Sequence, residues 1–537
     1  MTCTGGWNLP GRDGSVIGKR VAVIVRARLP FSRMNATRPG GRRSADGPKA
    51  VRRTLVAVVA VAAAVGLAGP QPAGAQSPSG DWSAPLMLYR SDLSVSWPIV
   101  VTDAYGTVHV FWVEGSSEYT PSNLPSVIFH TENDNGRWSK PSDILLSPGN
   151  GSAEAPEVAA DAFGGLHMIW HGPNNTLYYS SVDARKAAEA GAWSTPKAIA
   201  TSLLHTGIFV DAKGGIHVVY PNANNFGVSY TYSSDGGGSW SSGTTVALPY
   251  QGNSAADYAQ VAVDSAGNIH VVWTEFQLPN AWPPLGVFYA RSTDGGKTWS
   301  PALRFAGQGY DVATIKVDSE NRVHADWNGM ITVGGRYYVQ SRDSGKTWSK
   351  PVAVIPAKIG GTSGYSDLAI DSAGHVHMAS AASVHRGTGE FASMVYSAPE
   401  NGVWSPRVGL SGDLQGTRVQ SVEWPRIAVS DGNRLNVVFE VGYEEVYYVT
   451  RLTDAPEVKS SPAALAPVAA TQPPATASAK PAPSIGTQTA TPGRAGPTGD
   501  AVVPPGSDSP VPLLLALVPA ALLVAAVMLA RLSGRGI

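Results

Sequence analysis

The stretch Asp264-Ser-Ala-Gly267-Asn-Ile-His270-Val-Val-Trp273 decides how this chain folds, because its pattern returns six more times. Copies begin at Asp103, Asp161, Asp211, Asp318 and Asp371, and a degenerate one begins at Ser430. The intervals are 58, 50, 53, 54, 53 and 59 residues, so the chain divides into repeats rather than into unrelated domains. The fourth position is Gly106, Gly164, Gly214, Gly267, Asn321, Gly374 or Asn433. These are the two residue types that tolerate φ > 0, so each Asp-x-x-Gly reads as a tight hairpin. The run before it, such as Ala259 to Val263, is then one strand, and the run from the histidine to the aromatic is the next.

A second motif, Trp-Ser and often Pro, alternates with the first at Trp82, Trp138, Trp193, Trp240, Trp299, Trp348 and Trp404. A third strand such as Gly286 to Ser292 runs into Ser292-Thr-Asp294-Gly-Gly296-Lys-Thr-Trp299, and a fourth follows the tryptophan. Each unit is therefore four strands, A to D. The turn between C and D has the form Ser-x-Asp-x-Gly-x-x-Trp, matched in full at Ser233/Asp235/Gly237/Trp240, Ser292/Asp294/Gly296/Trp299 and Ser341/Asp343/Gly345/Trp348. It resembles the Asp-box (BNR) turn of the sialidase-like β-propeller superfamily. The resemblance implies a propeller in which the boxes are structural and distant from any active site. Locally the Asp caps backbone N–H groups, Gly supplies φ > 0, and the Trp is expected to pack into its own blade.

The strand count predicts closure. The repeats open on an isolated D strand, Trp82 to Leu88, and end on A, B and C strands over Pro425 to Leu452 with no Trp-Ser strand after them. The expectation is an all-β, seven-bladed propeller of four-stranded blades whose N-terminal strand closes the last blade, with one C-terminal transmembrane helix added. Sialidases themselves resemble a six-bladed ring.

The flanks carry the rest of the expected organisation. Residues 1–75 read as a leader with a secretory signal: Arg52-Arg53, an apolar run Leu55 to Leu67, and the small-residue site Ala73-Gly74-Ala75. The patternless basic stretch 1–50 is long for such a leader, which suggests a start further on, such as Met34. The propeller occupies 76–454 and a Pro/Ala/Thr-rich stalk 455–510. Residues 511–530 are 20 uncharged apolar positions expected to span a bilayer as one helix, and 531–537, with Arg531 and Arg535, to form a cytoplasmic tail. This organisation predicts a single-pass cell-membrane protein with its propeller outside, as a monomer. Lys+Arg and Asp+Glu balance at 40 each, which argues against a nucleic-acid partner. The single cysteine, Cys3, lies in the leader, so neither a disulfide framework nor a cysteine metal site is available.

Two sets of residues invite functional readings. The repeat histidines His109, His167, His217, His270, His324 and His377 occupy one position in six blades, which spreads them around a ring rather than converging them on a metal. They read as structural, each satisfying a buried hydrogen bond, and Trp112, Trp170, Trp273 and Trp327 read as packing between blades. No metal and no cofactor is predicted. Seven residues before each repeat start, at the entry to strand A, stand Ser96, Glu154, Leu204, Asp257, Asp311, Gly364 and Glu423. Aromatics crowd the same entry: Trp97, Tyr258, Tyr310, Tyr365 and Trp424. The resemblance implies that this end of strand A rims the central channel on the ligand-binding face. Acids and aromatics at such a mouth suit a sugar or a cation. Glu114 and Glu275 fall on the same face.

Sialidases hold the substrate carboxylate with three arginines, the first in a Tyr/Phe-Arg-Ile-Pro motif, and use a Tyr–Glu nucleophile pair with an Asp acid/base. Here the corresponding stretch is Ser96-Trp97-Pro98-Ile99, and Arg426 is the lone arginine at an equivalent entry. The expected function is a surface propeller that binds a glycan or an extracellular protein at the channel mouth through Glu154, Asp257, Asp311, Glu423 and the five aromatics. The alternatives are a glycoside hydrolase or lyase working through two rim carboxylates, and an adhesion or spacer module with no concave site.

Overall fold

Blade IV shows why each repeat folds as a four-stranded antiparallel meander. Strands Ser254–Val263, Ile269–Gln277, Gly286–Ser292 and Leu303–Ala306 pair in chain order. The A–B hairpin is built by its aspartate: Asp264 Oδ1 accepts the N–H groups of Ala266 and Asn268 at 3.0 and 2.8 Å, while Gly267 takes φ +83°. The same two bonds recur at Asp103, Asp161, Asp211, Asp318 and Asp371. In the degenerate copy the left-handed residues are Asp431 and Gly432, one step earlier than the expected Asn433.

The second carboxylate oxygen of each turn aspartate reaches the histidine six residues on, at 2.9–3.5 Å. The other ring nitrogen meets a tyrosine hydroxyl on strand C in five blades: His167–Tyr179, His217–Tyr230, His270–Tyr289, His324–Tyr338 and His377–Tyr396, all at 2.6–2.8 Å. The histidines are therefore buried linkers between turn and strand, as their repeat position implies.

The computed structural model describes residues 81–463 apart from 116–123, 150, 280, 282, 331–332, 358–364, 387–388, 401, 406–407 and 412–421. All of them fall in the compact unit ending at Pro467. Seven such sheets form the propeller, with A strands Ser94–Thr102, Glu154–Ala160, Gly207–Val210, Ser254–Val263, Tyr310–Val317, Ser366–Ile370 and Val422–Ser430 in blades I to VII. Leu86–Arg90 supplies the D strand of blade VII, paired with Glu445–Leu452 (Leu86 opposite Tyr448). The N-terminal strand thus closes the ring.

The core lies in the seams between blades. Ile128 and Leu145 of blade I pack with Leu166, Met168 and Trp170 of blade II, and Val219 and Tyr230 of blade III with Trp273 and Phe288 of blade IV. Trp112, Trp170, Trp273 and Trp327 are fully buried there.

The Trp-Ser tryptophans are a correction. They were expected within their own blades, but each lies against the preceding one: Trp240 on Tyr179, Trp299 on Tyr230, Trp348 on Tyr289, Trp404 on Tyr338, Trp82 on Tyr396, Trp138 on Tyr448 and Trp193 on Phe111, with centroids 4.9–6.2 Å apart. Strand D is the outermost of its sheet, so no further strand of the same blade exists to cover a ring at its start. The neighbour supplies that apolar surface.

The expected membrane tether is corrected as well. Among the described residues no helix is long and apolar enough to cross a membrane. The 3₁₀ turns Pro173–Asn175, Ala184–Lys186 and Ala190–Ala192 have three residues each, against the ~20 residues a span requires. The segment 511–530 and the tail 531–537 lie outside the described residues, as do the leader 1–75 and residues 464–510 of the stalk. Nothing among the described residues supports the transmembrane, cell-membrane and single-pass readings. Residues 455–463, where the stalk was expected to begin, lie on the propeller: Val458 N–H donates to Asp431 O of blade VII and Ala463 N–H to Ala162 O of blade II.

Candidate functional site at the channel mouth

One backbone irregularity aims the site. In blades I, II, IV, V and VII the A–B register slips just after the strand entry. The residue six before the repeat start is left-handed: Trp97, Ala155, Tyr258, Val312 and Trp424 have φ between 42° and 52°. This is a β-bulge repeated around the ring. Because Ala155 and Val312 share it, the bulge belongs to the architecture, and the choice of aromatic at the other three positions is what distinguishes the mouth.

Those aromatics converge with two residues from the unbulged blades III and VI. Tyr365 stacks on Trp424 at 3.7 Å between ring centroids, and His205 stacks on Tyr258 at 4.0 Å. His205 lies 5.8 Å from Trp424, Trp97 meets Trp424 edge-on at 6.3 Å, and the hydroxyls of Tyr258 and Tyr365 are 3.1 Å apart. Five rings from blades I, III, IV, VI and VII therefore form one cluster. Trp97, Tyr258 and Trp424 are half-buried, whereas His205 and Tyr365 are buried.

Tyr310 stays apart. It stands one residue before the rim acid, two before the bulge residue, and meets Tyr337 of its own blade. His205 was not anticipated, yet it occupies the aromatic position of blade III; reading the position six before the repeat start in every blade would have found it.

The rim carboxylates take separate partners. Asp257 is buried, accepts the His205 N–H and lies 3.1 Å from His205 Nδ1, so it orients the imidazole in the cluster. Asp311 is buried in blade V, and burial pushes its carboxyl up to about 7 although Arg336 pulls the other way. Glu423 pairs across the sheet with Glu440, and burial, with the Glu423 charge added, pushes the Glu440 carboxyl well up. Glu154 is half-buried at the entry of blade II. Of the two outer candidates, Glu275 is buried between Ser254 and Trp273, and Glu114 accepts the Tyr89 hydroxyl.

Two charged groupings whose partners no spacing in the sequence shows lie near these acids. Four residues before the repeat start, Arg426 of blade VII bonds Glu157 of blade II across the ring, and Lys316 lies 3.5 Å from Asp367. The only arginine expected near the mouth is thus already neutralised. Between blades V and VI, Arg336 is fully buried and donates to Ser380 Oγ, Gly335 O and Ala381 O. Nearby Asp326 accepts from Thr314 and Ser366, and burial raises its carboxyl to about 6. No repeat position flagged either residue.

Fold and mouth together define a seven-bladed β-propeller with an aromatic cluster on its axis. No protein-family model matches the chain, and no curated protein matches it. Among solved structures it is similar to the BP39L lectin from Burkholderia pseudomallei (13% identity, TM-score 0.48, over 70% of this chain and 100% of that one). It is also similar to a PL25 ulvan lyase bound to -[GlcA(1-4)Rha3S]- (13%, 0.46, 69% and 96%) and to the NanB sialidase from Streptococcus pneumoniae (12%, 0.40, 69% and 71%). The likeness is one of fold at low identity, and a sialidase assignment does not follow from it.

Proposed function

We propose that this propeller binds a saccharide at its channel mouth, by stacking on the aromatic cluster. The observation that supports this is the convergence of Trp97, His205, Tyr258, Tyr365 and Trp424 from five blades. Half-exposed indole and phenol rings offer the apolar face of a sugar a flat partner, with hydroxyls beside it for polar contacts. Asp257 belongs to this site by holding His205.

Binding rather than sialic-acid hydrolysis suits the charges: Arg426 is committed to Glu157, so no three-arginine clamp is offered. A second reading has its own support in the Asp257–His205 contact, since a carboxylate-oriented imidazole is the usual form of a general base.

The test is a glycan array and polysaccharide panel on the intact protein, with hits followed by calorimetry and product analysis. Trp424→Ala and Trp97→Ala should each weaken binding about tenfold or more, the effect of losing an aromatic anchor. Asp294→Ala, on the outer Asp-box, should leave affinity unchanged. Absence of any saccharide ligand, or normal binding by Trp424→Ala, overturns the reading. Turnover of the bound saccharide that is lost in His205→Ala selects the second reading instead.

A further inference from the structure

Blade I departs from its companions at one place. Register alignment puts His130 where the other blades carry the strand-C tyrosine: Phe111 faces His130 as Ile169 faces Tyr179 and Val272 faces Tyr289. Two residues on, and on the same strand face, stands Glu132, directly opposite His109.

Three ligand atoms meet there. His109 Nδ1 lies 3.1 Å from His130 Nε2 and 3.5 Å from Glu132 Oε2, and His130 Nε2 lies 3.9 Å from Glu132 Oε2. Both imidazoles are fully buried and Glu132 is a quarter exposed. Ligand atoms held at 2.0–2.1 Å from a tetrahedral zinc lie about 3.4 Å from one another, so the observed separations bracket that spacing.

The tautomer is set from behind. Asp103 Oδ2 lies 3.1 Å from His109 Nε2, and Asp103 is itself fixed by the Tyr105 and Thr107 N–H groups. With Nε2–H given to the carboxylate, His109 Nδ1 presents a lone pair to the cluster, the carboxylate–histidine arrangement that supports metal ligands. A plain substitute for the tyrosine would need only His130 donating to His109. That leaves Glu132 Oε2, buried and without a hydrogen-bond partner among the described residues, facing the same lone pair. One cation would satisfy both imidazole lone pairs and the carboxylate oxygen together.

We propose that His109 Nδ1, His130 Nε2 and Glu132 Oε2 form a site for a divalent transition-metal ion of the zinc class. Two imidazoles and one carboxylate favour such an ion over calcium or magnesium. The ion ties strand B of blade I to strand C, beside the seam where Trp193 of blade II packs on Phe111.

The test uses the intact protein after dialysis against a chelator, titrated with Zn²⁺ alone by calorimetry and with Co²⁺ by visible absorption. One equivalent of Zn²⁺ should bind and raise the melting temperature, Co²⁺ should give a tetrahedral spectrum, and Mg²⁺ and Ca²⁺ should do neither. His130→Tyr, which restores the residue of the other blades and so keeps the fold, should weaken Zn²⁺ binding at least ~100-fold, and Glu132→Gln should do the same. Failure to bind one equivalent overturns the site. So does equal binding in His130→Tyr and Glu132→Gln, which assigns the ion to other histidines.

Discussion

At the scale of single residues, the molecule buries several carboxyl groups under different constraints. Glu275 is the clearest, because its partners are neutral: Ser254 Oγ donates to one oxygen and Trp273 Nε1 to the other. Those bonds favour the charged form, but burial prevails and pushes the carboxyl up from 4.5 to about 7. The folded protein therefore holds this proton more tightly than the unfolded chain does. Stability from this group is full below about pH 4.5 and is lost as pH rises through about 7, a loss on the order of 3 kcal/mol at most. Glu275→Gln removes the titration while keeping an acceptor. Urea unfolding at pH 5 and pH 8 should show the Gln variant gaining on the parent at the higher pH. Parallel pH dependence in the two proteins would assign the proton to another group, such as Asp311 or Asp326, which burial shifts in the same direction.

At the scale of elements, the Asp-box turn divides its work between two residues. Asp294 accepts from Ser292 Oγ, the Thr298 N–H and Thr298 Oγ1, bonds that hold its exposed carboxylate down at about 2. Trp299 instead crosses the seam to Tyr230. Trp299→Ala should therefore cost about 3 kcal/mol or more by opening a gap between blades III and IV, and Asp294→Ala should lower the melting temperature by visibly less. The reverse order in thermal unfolding would mean the box acts mainly as a turn. The turns, the four-strand units and the histidine links were all legible, because each rests on a short-range pattern: an aspartate at one, a glycine or asparagine at four, a histidine at seven. The tryptophan's destination was not, since packing across a seam leaves no spacing in the sequence. The mouth was half legible for a related reason. Carboxylates in four of the seven repeats pointed at the residue seven before the repeat start, and the bulge hands the axial direction to the residue after it. Trp97, Tyr258, Tyr365 and Trp424 were found because a tryptophan or tyrosine marks that entry, whereas blade III carries a histidine, His205, at the same position. Glu132 and His130 were missed because attention to a repeated position hides the one blade that breaks it.

At the scale of the whole molecule, the ring is closed by a single non-local pairing. Leu86–Arg90 joins Glu445–Leu452, and two rings of the same segment lock it: Trp82 meets Tyr396 of blade VI edge-on, and Tyr89 packs on Trp112 and Phe129 of blade I at 4.9 and 5.3 Å. The Ser83 N–H donates to Thr450 O, and Ser83 Oγ accepts the Thr450 N–H. The closing segment thus touches three blades while belonging to one sheet, so its loss removes more than one strand. It exposes the edge of Glu445–Leu452, uncovers Tyr396, and leaves Trp112 without its outer ring. An unpaired edge flanked by apolar surface is a template for another chain. Removal of residues 81–90 should therefore lower the melting temperature sharply and produce concentration-dependent association, read by light scattering. Adding the segment back as a peptide should reverse both effects, because the vacant edge and its pockets are specific for it. A shortened protein that melts like the parent and stays monodisperse would mean that blade VII holds with three strands and that closure comes from the packing of blade I on blade VII, where Trp138 meets Tyr448 and Val95, Val100 and Val110 lie with Val438 and Val446.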